Sequence, residues 1–195
     1  PSRRSTLRKK KKKDKDGNII PDRTPKQRKN NIKFTFARYM FAFIREGFGD
    51  LPVWKIAAAQ RGMTDDNLIH STNYKYLDEK GEILDMEGFQ VSLGPLALPI
   101  NLRATRNSTL VTITWDDSRD NPSAAPTDRM MVGIFYANYR DTFTLEKETG
   151  TTRRDGKCEI TLRNDDGEVC IHPFFARADN TAFSEDKAIT LPDTE

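Results

Sequence analysis

Apolar residues in the first quarter of the chain recur at helical spacing between two end signals. Thr24 suits an N-cap, because its hydroxyl can accept a backbone N–H of the first turn, and Pro25 suits the first helical position. Gly47 suits the residue that ends a helix. The pattern predicts a helix whose apolar side is too wide for an ordinary surface helix, so it must be buried against something larger. Its candidate contacts with neighbouring subunits are Phe34, Phe36, Tyr39, Met40, Phe41, Phe43 and Ile44.

The segment after this helix predicts two shorter helices and then a β segment. Asp50 and Thr64 are the expected N-caps of the two helices. Residues 89–93 alternate between apolar and polar, which predicts a strand, and the turn at 78–81 indicates a small hairpin. We therefore expect a helical neck over 24–72 and a linking β segment over 73–98.

From residue 99 the pattern changes to short alternating stretches separated by Gly, Asn and Asp. Strands with turn signals about every 8–12 residues are typical of an immunoglobulin-like or fibronectin-III-like sandwich. Val111, Ile113 and Trp115 share one phase of a strand and should face the core. The seven candidate strands are 102–105, 110–115, 131–136, 143–145, 158–162, 169–176 and 188–191.

Together these patterns predict an α+β, mainly β fold. Residues 99–195 should form the Ig-like or fibronectin-III-like β-sandwich, preceded by the linking segment and the helical neck. Residues 1–23 are of low complexity and basic, so we expect an N-terminal arm that is disordered when alone.

Charge is divided unevenly along the chain. The net charge is +3, yet residues 1–33 hold 14 Lys and Arg against three Asp, so they carry +11 and the remainder carries −8. An acidic body with a basic arm favours contact of the arm with a polyanion, because phosphates release counterions when lysines neutralise them. The alternatives are an acidic protein partner and an idle solvated tail. The candidate contact residues are Arg3, Arg4, Arg8, Lys9, Lys10, Lys11, Lys12, Lys13 and Lys15.

The sequence predicts no catalytic residues, no cofactor and no metal site. The two histidines, His70 and His172, lie far apart and neither has ligand spacing to a cysteine or carboxylate, apart from the weak pair Cys170 and His172. In a strand those two side chains would point the same way. Cys158 and Cys170 could form a bridge if their strands pair, but we expect buried thiols. No nucleophile motif and no phosphate-binding glycine loop is found.

Apolar runs in the chain are too short for a membrane span, and no apolar region follows the N-terminal lysines as a signal peptide would require. We therefore expect a protein that is not secreted by a signal peptide. The wide apolar side of the helix favours an oligomer or a larger assembly.

Several segments resemble a family of proteins of about 200 residues from Bacteroidota bacteria and their phages, a domain family of unknown function. The resemblance lies in 24–28, in 45–48 at the end of the Phe-rich helix, in 82–85 and 90–96, and in 111–116. It continues in Ala125-Pro-Thr-Asp-Arg129 and Arg154-Asp-Gly156. Members usually begin with a Gly-rich segment, where this chain has lysines. The resemblance implies a virion or surface role and no established activity.

Our hypothesis from the sequence is a non-enzymatic structural protein, a component of a phage virion or another assembly. Its arm would contact nucleic acid or acidic neighbouring subunits, in the virion or in the cytoplasm of the producing cell. One alternative is a bacterial nucleic-acid-associated protein. A second is a carbohydrate-binding module that uses exposed aromatic residues such as Tyr136, Tyr139 or Phe174.

Overall fold

The computed structural model describes residues 15–16, 24–116, 123–164 and 166–193. Over these residues it contains three α-helices, α1 (Pro25–Phe48), α2 (Val53–Ala59) and α3 (Asp65–Asn73). Seven strands follow: β1 (Ile100–Asn107), β2 (Leu110–Asp116), β3 (Arg129–Tyr136), β4 (Tyr139–Glu146), β5 (Lys157–Thr161), β6 (Val169–Ala176) and β7 (Ile189–Leu191). The α+β, mainly β fold class is confirmed, and each strand lies at a position that the alternation predicts.

Helix α1 begins as its sequence predicts and ends slightly later. The Thr24 hydroxyl accepts from the Gln27 N–H, and the Gln27 side chain accepts from the Thr24 N–H, so the two form a capping box. The helix continues through Gly47 to Phe48, and Gly49 at φ 59° ends it. Gly47 serves a different purpose, because a Cβ there would lie 3.0 Å from the Phe143 ring. Its missing side chain lets β4 approach the helix.

The two shorter helices differ in their caps. The Thr64 hydroxyl accepts from the Asn67 N–H, so the predicted cap of α3 is confirmed. The predicted cap of α2 is wrong, because the N-cap position is Pro52 and not Asp50. Helix α2 instead depends on burial, with Val53 and Trp54 enclosed at its start.

The strands form two antiparallel sheets. One sheet has the order β1-β2-β5 and the other has the order β4-β3-β6-β7. In constant-type immunoglobulin domains the fourth strand belongs to the same sheet as the first two strands. Here β4 pairs with β3 in the other sheet, which is the fibronectin-type arrangement. Val111, Ile113 and Trp115 are all buried between the sheets, as their phase in β2 predicts.

The four-stranded sheet is covered on both faces, so the fold has three layers. Met130, Val132 and Ile134 of β3 face the three-stranded sheet and join its core. Met131 and Phe135 of the same strand belong to a second core with residues of α1, α2 and α3. All eight residues of β6 are buried for the same reason. The helices therefore form a layer on the outside of the sandwich rather than a neck that projects from it.

The predicted strand at 89–93 is wrong, although its alternation is real. Phe89, Val91 and Leu93 are buried, but side chains rather than a neighbouring strand satisfy the backbone. Asn73 accepts from the Gln90 N–H at 2.8 Å and donates to the Gln90 carbonyl at 2.8 Å. The linking segment 73–98 thus forms no regular strand. Its β pairing is limited to isolated bridges, for example between Leu77 and Ile83.

The residue before β3 and the turn before β5 meet at one end of the sandwich. Asp128 and Arg153 are fully buried, with Arg153 Nε 3.4 Å from Asp128 Oδ2. Arg153 also donates to the Ala97 carbonyl at 2.8 Å and lies over the Phe175 ring at 4.2 Å. The Arg153 N–H donates to the Asp128 carbonyl at 2.7 Å. Asp128 and Arg153 therefore form one internal clamp between the start of β3 and the turn before β5.

We expect Asp128→Ala to lower the free energy of unfolding by about 3–5 kcal/mol, because it removes the carboxylate beside a buried guanidinium. Urea denaturation followed by circular dichroism measures this change. Asp166→Asn, at an exposed position, is the control and should change stability by less than about 0.5 kcal/mol. Equal stability of the two variants would contradict the clamp.

Candidate interaction surface

Four large apolar side chains form a row on the exposed side of α1. Their exposed fractions are 54% for Ile32, 44% for Phe36, 69% for Tyr39 and 43% for Phe43. Their spacing of four, three and four residues keeps them on one side of a helix. We call this row the α1 stripe. An aligned row of this size is unusual on a surface that meets only water.

The first three turns of α1 lie outside the core. Every residue of 25–36 is exposed or partly exposed, whereas Ala37, Met40, Phe41, Ile44 and Phe48 are buried. Such a short helical segment has little stability of its own, so it depends on the capping box and on the packed half of the helix. Side-chain contacts add support: Lys29 pairs with Glu79, and Lys33 Nζ lies 4.6 Å from the Tyr74 ring centre.

The predicted assembly residues of α1 divide into two groups. Met40, Phe41 and Ile44 lie in the chain's own core and are not available to a partner. Phe34, Phe36, Tyr39 and Phe43 remain exposed. Ile32, which was not among the predicted contacts, joins the exposed group because it lies one helical turn before Phe36. The wide apolar side thus reflects two surfaces, one internal and one open.

The turn at 78–82 forms a wall beside the α1 stripe. Gly81 has φ +81°, and a Cβ there would overlap Phe36, so the turn lies directly against the helix. A groove of about 350 Å³ runs between them, lined by Phe36, Tyr39, Met40 and Phe43 on the helix and by residues 80–82. The hairpin pattern in the sequence could not reveal this contact, because Gly81 packs against Phe36, which lies 45 residues earlier in the chain.

A second groove of about 700 Å³ lies between α1 and α3 and is more polar. Arg45 pairs with Asp66 across it. The His70 ring lies 4.8 Å from the Phe34 ring and stacks on Tyr74 at 4.5 Å. Burial and the charge of Arg38 lower the pKa of His70. The floor of this groove is therefore aromatic and uncharged. The charges of Arg45 and Asp66 at the groove already neutralise each other within the chain.

The basic arm lies almost wholly outside the described residues. Of its predicted contact residues, the structure describes Lys15 alone, in an exposed turn with Asp16. The described part of α1 adds further cations, Lys26, Arg28 and Lys29. The polyanion contact of Arg3, Arg4, Arg8 and the lysines at 9–13 stays a prediction.

The aromatic residues suggested for carbohydrate binding are mostly internal. Tyr136 is 2% exposed and Phe174 is fully buried, so neither can stack on a sugar. The Tyr136 hydroxyl accepts from the Arg163 N–H at 3.2 Å. Tyr139 is 46% exposed. A single accessible ring gives little support to this alternative.

Cys170, His172 and Asp186 form a chain of contacts with the residue types of a thiol, a base and an orienting carboxylate. His172 Nδ1 lies 2.7 Å from Asp186 Oδ2, and His172 Nε2 lies 3.4 Å from Cys170 Sγ, as their shared side of β6 predicts. The cluster is enclosed, with His172 0% and Asp186 3% exposed at the side chain. Asp186 Oδ1 accepts from the N–H groups of Val91 and Ser92 at 2.9 and 2.8 Å.

The enclosure of Cys170 and His172 favours a structural role for this cluster. Burial alone would lower the pKa of His172, but hydrogen bonds with Asp186 and Cys170 and the charge of Asp186 outweigh it and raise the pKa to about 9. Cys170 and His172 are both fully buried, so no substrate can reach the thiol. We interpret the cluster as a buried ion pair that fastens the segment 89–93 to β6.

Over its described ranges the chain contains no group of three or more His, Cys, Asp or Glu side chains that could hold a metal ion. Cys158 and Cys170 are buried free thiols, and their strands β5 and β6 do not pair with each other. None of the helices described is both long and apolar enough to cross a bilayer.

Comparison with known proteins assigns no family and no function to these surfaces. No family model matches the chain, and no curated protein is significantly similar to it in sequence.

We expect the stability of the protein to fall between pH 6.5 and 9. The pKa of His172 is about 9 in the folded chain and 6.5 ordinarily, so its ion pair contributes fully below pH 6.5 and is lost as the pH rises through 9. Asp186→Asn should cost about 3–5 kcal/mol at pH 6 and should flatten this fall. Urea denaturation at pH 6 and pH 9.5 measures both effects.

The exposed neighbour Glu185 supplies the control, since Glu185→Gln leaves the ion pair in place. It should keep the pH dependence of the wild type. The same pH slope in the wild type and in Asp186→Asn would show that His172 is not the group responsible.

Proposed function

We propose that the protein is a non-catalytic component of a larger assembly, which it joins through the α1 stripe. The observation that carries this proposal is the row of four large apolar side chains, each at least 43% exposed, on a helix whose other side is buried. Burial of such a row against a partner would stabilise the complex by removing apolar surface from water.

The division of α1 into two halves supports the same role. Residues from Ala37 onward fix the helix on the four-stranded sheet, whose rings Phe143 and Phe174 contact Phe48 at 5.7 and 6.4 Å. The half before Ala37 extends past this anchor with its apolar side chains open. An anchored helix with a free end presents a contact surface without a large ordering cost on binding.

The basic arm supplies the second contact that we propose. It precedes the open end of α1, and its residues 1–23 hold ten Lys and Arg. Such a segment suits nucleic acid or the acidic surface of a neighbouring subunit. The specific setting that we propose is a phage virion, and its support is the family resemblance described above. A sandwich with variable loops on a rigid frame fits a virion component.

The same charge run favours a second candidate, a bacterial nucleic-acid-associated protein in which the arm is the main binding element. The two candidates differ in what the α1 stripe does. In an assembly component, loss of the stripe releases the protein from its complex, whereas in the second candidate loss of the arm alone abolishes binding.

We expect Tyr39→Glu to release the protein from its native assembly. Tyr39 is 69% exposed, so the change should leave the fold intact, but it would bury an unpaired carboxylate at the contact. Affinity should fall at least about tenfold. Size fractionation of extracts from producing cells, with mass spectrometry of the particle fraction, measures this release.

Ile100→Glu is the matched control, because Ile100 is 62% exposed and lies on the three-stranded sheet, away from α1. It should stay in the particle fraction. Retention of both variants in that fraction would refute assembly through the stripe.

We expect binding to DNA to weaken steeply with salt if the arm contacts phosphate. The logarithm of the binding constant should fall with the logarithm of salt concentration at a slope of about −0.9 for each phosphate neutralised. Removal of residues 1–15, which hold nine Lys and Arg, should abolish most of this slope in a retardation titration. Lys157→Gln, a change on the sandwich, should leave it unaltered. An unchanged slope after the deletion would exclude phosphate contact by the arm.

A further inference from the structure

We propose that the α1 stripe binds the α1 stripe of a second copy of this chain, with the two helices antiparallel about a two-fold axis near Ala37 and Arg38. This inference rests on the proposed function and specifies the first partner in the assembly. It is carried by the symmetry of the stripe, by the charges at its ends and by the position of the basic arm.

The stripe reads the same in both directions. Its spacing of four, three and four residues is symmetric about the point between Ala37 and Arg38. An antiparallel partner centred there places Ile32 opposite Phe43 of the second copy and Phe36 opposite Tyr39. Alternation of three and four is also the spacing of a coiled-coil seam, in which side chains of one helix fill holes between those of the other.

The charges at the two ends of the seam select the antiparallel direction. One heptad before Phe36 is Lys29, and one heptad after Tyr39 is Glu46. The antiparallel pairing places Lys29 opposite Glu46 of the second copy, twice over by symmetry. A parallel pairing would instead oppose Lys29 with Lys29 and Glu46 with Glu46, which is unfavourable. Lys29 contacts Glu79 of its own chain and is still 60% exposed, so it remains open to a second carboxylate.

The basic arm favours the same direction. In a parallel pair the two arms would leave from one end of the dimer, and their like charges would repel each other. In the antiparallel pair the arms leave from opposite ends, separated by about the length of α1, roughly 36 Å for 24 residues. This distance exceeds the Debye length of about 8 Å at physiological ionic strength, so the repulsion is screened.

The body of each copy leaves room for the partner helix. At roughly 100° per residue, the α1 stripe points about 130° away from the buried side of α1. The bodies therefore lie on the outer sides of the helix pair. The groove beside the stripe, with its wall at 80–82, borders the path of the partner helix.

The first experiment measures the mass of the purified full chain by light scattering and sedimentation over a wide range of concentrations. We expect a monomer–dimer equilibrium. Tyr39→Glu should raise the dimer Kd at least about 30-fold, because it places an unpaired carboxylate in the apolar seam. Ile100→Glu should leave the Kd unchanged, and thermal denaturation should confirm that both variants are folded.

Charge exchange then tests the pairing of the seam ends. Lys29→Glu alone and Glu46→Lys alone should each weaken the dimer about five- to tenfold, because each creates two repulsive pairs. The double variant should recover most of the wild-type affinity. Failure of the double variant to recover would overturn the antiparallel register.

Crosslinking decides the direction without reliance on affinity. Copies with Phe36→Cys are mixed with copies with Tyr39→Cys, and the mixture is oxidised. The antiparallel pair predicts a disulfide between the two different variants, whereas a parallel pair predicts crosslinks within each variant alone. The native thiols of Cys158 and Cys170 are buried and should not interfere.

The remaining outcomes separate this inference from the proposed function. A monomer at every concentration that still joins the native assembly through Tyr39 would overturn self-pairing and leave the assembly role intact. A dimer insensitive to Tyr39→Glu would overturn the choice of surface. A monomer that binds anionic lipid vesicles through Tyr39 would also overturn the inference, in favour of a membrane surface.

Discussion

Burial of both faces of one sheet is the constraint on which this structure depends. Strands β3 and β6 lie at the centre of the middle sheet, so their side chains must pack against the three-stranded sheet on one side and the helices on the other. This requirement explains why β6 is buried along its whole length. It also explains why the helices cannot be an independent neck, since the outer face of β3 and β6 would be left open to water without them.

Two buried ion pairs lie inside these layers. The Asp128–Arg153 pair closes one end of the sandwich, and the His172–Asp186 pair fastens the irregular segment over β6. Arg153 joins the turn before β5 to the residue before β3, and Asp186 joins its irregular segment to His172 in β6. They act where the hydrogen bonding of the sheets stops, and so they specify how loops close over a core that hydrophobic packing alone would leave loosely defined.

Local sequence patterns predicted most of the helices and strands, but few of the contacts between them. The alternation of β2 located a strand and its inward side, and the Thr24 and Thr64 caps located the starts of two helices. The segment 89–93 has the alternation of a strand, yet its backbone bonds to Asn73 and Asp186, and nothing local reveals partners so far along the chain. The width of the apolar side of α1 indicated burial against something larger, but only tertiary packing shows that Met40 and Phe41 serve the core while Phe36 and Tyr39 face outward.

The continuity of α1 across its anchored and open halves has a mechanical consequence. The helix is a single rod with no break between Pro25 and Phe48, so a force applied to its open end is transmitted along its axis. The aromatic contact of Phe48 with Phe143 and Phe174 receives that load at the middle sheet rather than at a flexible hinge. Tension on an attached neighbour would therefore be borne by the sheet that is covered on both faces.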